Sequence, residues 1–222
     1  MSLNTVVTRS ESEILATNRV LRNTYLLLAM TLVFSAMTAG ASLYFNLPHP
    51  GMIVTMVGYF GLLYLTTKLS NSGWGLLSVF ALTGFMGLTL GPIISLYIHA
   101  FSNGHQLVMT ALGGTGAIFL GLSGYALTTR KDFSFMSAFL MVGVLVAFLA
   151  GIGAVVFSLP GLSLAVSAMF IVLMSGMILL QTSDIIHGGE TNYILATVSL
   201  YVSLYNLFLS LLQILGVVGG GG

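Results

Sequence analysis

The sequence holds no cysteine, which excludes a disulfide framework, a thiolate metal site and a cysteine nucleophile. Charge is nearly as scarce: six Lys and Arg and five Asp and Glu among 222 residues make up 5% of the chain, against about 25% in soluble domains. So few charges cannot solvate the surface of a globular protein this long. The net charge of +1 leaves no basic footprint for nucleic acid. Only four prolines interrupt the chain. No repeat, coiled coil or low-complexity linker divides it.

What remains is apolar. Hydrophobic residues make up 57% of the sequence, with 27 glycines, a frequency that weakens soluble helices but suits membrane helices packed through small residues. Seven apolar segments, 24–45, 52–67, 74–98, 107–128, 135–157, 162–182 and 192–218, each approach the roughly 20 residues that cross a bilayer. The pattern predicts an all-α polytopic membrane protein. Residues 1–23 form a polar tail, expected to lie unstructured ahead of a transmembrane domain at 24–218. They are too polar for a cleaved signal peptide.

Basic residues orient the chain. Arg9, Arg19 and Arg22 precede the first span, Lys68 follows the second, and Arg130 and Lys131 follow the fourth, so a seven-span path puts all six on one side. The positive-inside rule makes that side cytoplasmic and places the C-terminus across the membrane. Small residues four apart, at Gly87 and Gly91, at Ala117 and Gly121, and at Gly143, Ala147 and Gly151, predict close helix contacts. Pro92 falls inside the third span and should free a carbonyl there.

The last span has a polar seam. Asn192, Ser199, Ser203, Asn206, Ser210 and Gln213 follow one another at steps of seven, four, three, four and three, which puts them on one helix face. In hydrocarbon such groups need partners. The helix is therefore expected in the middle of the bundle. Its seam reads either as hydrogen-bonding glue between helices or as the wall of a polar pathway.

The loop ahead of it carries Asp184, His187 and Glu190. Two acids and an imidazole at three-residue spacing could hold a hard cation such as calcium or relay protons. Equally, Gly188 and Gly189 can end one helix while Glu190, Thr191 and Asn192 cap the next. Gly121-Leu122-Ser123-Gly124 has the form used by intramembrane serine hydrolases. That chemistry needs a base at the serine, and His187 is the candidate by topology.

Several motifs together resemble the Bax inhibitor family of transmembrane Bax-inhibitor-motif proteins: Leu21-Arg22-Asn23-Thr24-Tyr25, Thr83-Gly84-Phe85, Leu90-Gly91-Pro92-Ile93, Thr-Thr-Arg-Lys-Asp-Phe-Ser-Phe at 128–135, Ile-Ile-His-Gly-Gly-Glu-Thr-Asn-Tyr at 185–193, and Ser-Leu-Tyr-Val-Ser-Leu-Tyr-Asn-Leu-Phe at 199–208. The resemblance covers essentially the whole chain. It implies a seven-helix bundle with the last helix central, in a bacterial inner membrane, without cofactor or catalysis. It also implies membrane lipid and the membrane-bound FtsH protease as partners. Relatives described as proton-sensitive calcium leak channels carry one aspartate late in the sixth helix and one in the seventh. The matching positions here are Gln181 and Ser203, with Asp184 one turn beyond the first and Asn206 one turn beyond the second. Neither matching position is acidic.

Overall fold

The computed structural model describes residues 3–219, with side chains from Leu15 onward. Among the described residues the chain is helical throughout: α1 (Leu3–Tyr44), α2 (Met52–Leu69), α3 (Gly75–Ala100), α4 (Gly104–Thr129), a 3-10 turn (Ser134–Met136), α5 (Ser137–Val156), α6 (Pro160–Ile186) and α7 (Tyr193–Gly219). Seven helices are long and apolar enough to cross a membrane. This is the all-α, seven-span architecture that hydropathy predicts.

From Leu3 onward the polar segment ahead of the first span is helical and not unstructured. No proline and no glycine before Gly40 interrupts α1, so the helix runs through Asn23 back to Leu3 instead of giving way to an unstructured tail. Its apolar run begins at Thr24, after Arg19, Arg22 and Asn23.

α1 packs on α3, α6 and α7, while α4 packs on α3, α6 and α7. α2 rests chiefly on α3, and α5 on α6. The main core draws Leu27 and Leu28 from α1, Val79, Leu82 and Met86 from α3, Leu140 from α5, Ile178 from α6, and Leu200, Tyr201 and Leu207 from α7. A second cluster at the far end joins Leu107, Val108 and Ala111 to Phe208 and Leu212. α7 touches α1, α3, α4 and α6, and between residues 193 and 216 none of its side chains is exposed.

Small residues make the closest approach at α1 and α3. A Cβ on Gly91 would lie 2.5 Å from the Ser42 Oγ and 3.0 Å from the Ala39 carbonyl, and one on Gly87 would collide with Ser35 and Thr38. Gly143 and Gly151 likewise admit Leu173 and Val166 of α6, with Ala147 fully buried between them. The expectation fails for the pair on α4. Ala117 is exposed, and a Cβ on Gly121 would meet nothing within 4 Å, because that face turns outward.

Candidate functional site

α6 ends where Gly188 takes φ +75°, a left-handed backbone that favours glycine. The Asp184 carbonyl then accepts the N–H groups of Gly189 and Glu190. α7 begins with Asn192, whose Oδ1 accepts the N–H groups of Ile194 at 2.9 Å and Leu195 at 3.3 Å. The Glu190 carboxylate accepts the Asn192 N–H at 2.7 Å. These groups perform the capping that the sequence allows.

Ser183, which sequence reasoning passes over, ties this loop to its neighbour. Its hydroxyl donates to the Lys131 carbonyl and accepts the Phe133 N–H, both at 3.1 Å. The Ser183 carbonyl lies 2.9 Å from His187 Nδ1. A carbonyl only accepts, so Nδ1 carries the hydrogen and Nε2 is the nitrogen left available. The i, i+4 spacing of Ser183 and His187 is the signal that could have found this contact. Across the loop, the Ser134 backbone N–H, and then its hydroxyl, hold the Asp132 carboxyl below the usual carboxylate range.

The structure brings some predicted residues together and separates others. Ser203 Oγ donates to Gln181 Oε1 at 3.2 Å and to the Ser199 carbonyl at 3.0 Å. Gln213 bridges Ser163 and Ser167 of α6 through both ends of its amide. The seam thus bonds α7 to α6. Asn206 does not take part, since its amide donates back to the Val202 carbonyl at 2.8 Å. Asp184 is half-buried, and His187 is exposed on the next turn. Among the described residues no three His, Cys, Asp or Glu side chains converge as metal ligands. Ser123 Oγ is buried without a hydrogen-bond partner, and the described bonds of His187 go to Ser183. Among the described residues no base bonds that serine.

A second polar face of α7 escapes the sequence reading. Thr197 donates to the Thr24 carbonyl, Tyr201 bonds Ser35 at 2.6 Å and the Thr83 carbonyl at 3.3 Å, and Tyr205 bonds Thr89 at 3.0 Å. Their spacing of four, Thr197 to Tyr201 to Tyr205, is legible once tyrosine is counted by its hydroxyl.

At the end of the bundle that carries the basic residues, a cleft of about 740 Å³ opens between α1, the end of α4 and the α6–α7 loop. Arg19, Arg130, His187 and Glu190 line it, with Val20, Leu21, Leu127, Ile185 and Ile186 as apolar wall. Gln181, Asp184, Ser203 and Asn206 lie outside it.

Comparison with known proteins shows the family of the chain. A family model described as "Inhibitor of apoptosis-promoting Bax1" matches residues 17–220. The chain belongs to the Bax inhibitor family. Relatives within it include an uncharacterised protein of Pseudomonas aeruginosa, 55% identical over 90% of each chain. Escherichia coli YccA, named as a modulator of FtsH protease, is 54% identical over 92% of this chain and 93% of its own. Mouse protein lifeguard 4 is 30% identical over 89% of this chain and 84% of its own. As a family member the chain is a multi-pass membrane protein. Its Gln181 and Ser203 face each other here as a neutral hydrogen-bonded pair.

Proposed function

We propose that this protein is a non-catalytic modulator or slow substrate of an FtsH-type membrane protease. It would sit in the bacterial inner membrane with its N-terminus in the cytoplasm and its C-terminus in the periplasm. The observation that carries the reading is its 54% identity, across 92% of the chain, to a protein named for that role. The side preference follows from the basic residues, which all belong to one end of the seven-span path.

The part of α1 ahead of the apolar run at Thr24 belongs to the polar segment 1–23. A protease that draws chains from the cytoplasm needs a terminus it can reach, and chain ends serve better than short loops pinned by helices. Deleting residues 2–12 should lengthen the protein's lifetime in cells that contain the protease, with co-purification of the two retained. Unchanged turnover with retained binding rejects the N-terminal handle. Failure of the full chain to co-purify with the protease rejects the partnership itself. Reporter fusions after Lys131 and after the C-terminus check the orientation: a periplasmic signal at Lys131 is incompatible with it.

A further inference from the structure

The cleft at the basic end combines three features that neither loop capping nor protease modulation requires. Its volume of about 740 Å³ is within the range of small-ligand sites. Two arginines line it, Arg19 from α1 and Arg130 from the end of α4, both exposed. Guanidinium groups are planar forks that match phosphate oxygens two at a time. Among the described residues the only carboxylate in the lining is Glu190, and it is engaged by the Asn192 N–H. His187 adds a ring whose Nδ1 is committed to Ser183.

The position is as informative as the charge. Leu127, Ile185 and Ile186 belong to the last turns of spans α4 and α6, so the cleft lies at headgroup level. One turn further along α1, Tyr25 meets the Phe119 ring with centroids 6.0 Å apart and bonds Thr182 at 3.3 Å. That junction of α1, α4 and α6 closes the deeper space.

We propose that this cleft binds the phosphate-bearing headgroup of an anionic phospholipid, with Arg19 and Arg130 as the phosphate ligands. A soluble phosphate would use the arginines alone. A lipid also uses the apolar wall and the interfacial depth.

Native mass spectrometry of the full-length protein, equilibrated with equal phosphatidylglycerol and phosphatidylcholine in mixed micelles, tests this. Wild-type protein should retain phosphatidylglycerol at least about ten-fold over phosphatidylcholine. Each arginine near a membrane surface contributes about five-fold to anionic lipid binding. Arg19→Gln and Arg130→Asn should each lower the ratio by about that factor, and the double variant should abolish the preference. Arg130 has φ +51°, a left-handed conformation that asparagine tolerates, so the fold should survive. An unchanged melting temperature in phosphatidylcholine micelles verifies this. Lys68→Gln, outside the cleft, should leave the ratio as in wild type. A preference that persists in the double variant, or falls equally with Lys68→Gln, overturns the site. Displacement of bound phosphatidylglycerol by millimolar glycerol phosphate assigns the cleft to a soluble phosphate and overturns the lipid.

Discussion

Ser42 sets how α3 accommodates a proline in its interior. Pro92 has no N–H, so the Leu88 carbonyl four residues earlier loses its helical partner, and the Ser42 hydroxyl of α1 donates to that carbonyl at 2.9 Å. The approach is possible because Gly91 offers no Cβ: an added one would sit 2.5 Å from the same oxygen. The sequence shows that Pro92 frees a carbonyl, but it does not show who satisfies it, since Ser42 lies on another helix. Ser42→Ala should leave the carbonyl without its partner and lower stability by on the order of 1 kcal/mol, read as thermal unfolding in detergent. In a Pro92→Ala background the restored amide at position 92 can bond Leu88 again, so the same Ser42→Ala change should cost much less. Equal losses in both backgrounds would show that the hydroxyl's value lies elsewhere.

At the scale of helices, the polar seam of α7 separates into groups that reach a neighbour and groups that do not. Gln213 joins α7 to Ser163 and Ser167 of α6, whereas Asn206 bonds its own backbone. Gln213→Leu therefore strands two α6 hydroxyls and should cost about 1 kcal/mol, two interhelical bonds at roughly 0.6 each. Asn206→Leu should change unfolding far less. If Asn206→Leu proves the more damaging, the amide has an interhelical role that its bond to Val202 does not express. The number of spans and the presence of the seam are legible in the sequence because apolar length and helical spacing are local properties. The partners are not, because they depend on how helices rotate against each other. Ala117 and Gly121 have the same spacing as Gly87 and Gly91, yet only the latter pair meets another helix. Spacing in the α6–α7 loop likewise identifies Glu190 and Asn192 as capping residues but leaves open a cation held by Asp184, His187 and Glu190. Geometry gives Glu190 a backbone N–H to hold, and the arginine-lined cleft, built from α1, α4 and the loop, has no local signature at all.

For the whole molecule, the question is whether the bundle passes ions along the α7 seam, the alternative that the polar residues of that helix raise in the sequence. A pH-gated pathway needs groups that change charge where two helices meet, and burial or pairing to place that change in the working range. At the α6–α7 contact this chain has Gln181 and Ser203, 3.2 Å apart, and neither side chain titrates. Asp184, a turn beyond Gln181, is the nearest acid on α6, but Gln181 and not Asp184 bonds the seam, and the described acids and His187 do not gather as a metal site. The contact should therefore stay closed as the proton concentration changes. Purified protein in calcium-loaded liposomes should show little calcium efflux, and little difference between neutral and mildly acidic medium. Placing acids at both positions, Gln181→Asp with Ser203→Asp, should introduce an acid-dependent flux if the α6–α7 contact is the gate. Robust efflux from the wild-type protein, lost in Asp184→Asn, would show that Asp184 substitutes for the missing acid and that the neutral pair is not what keeps the path shut.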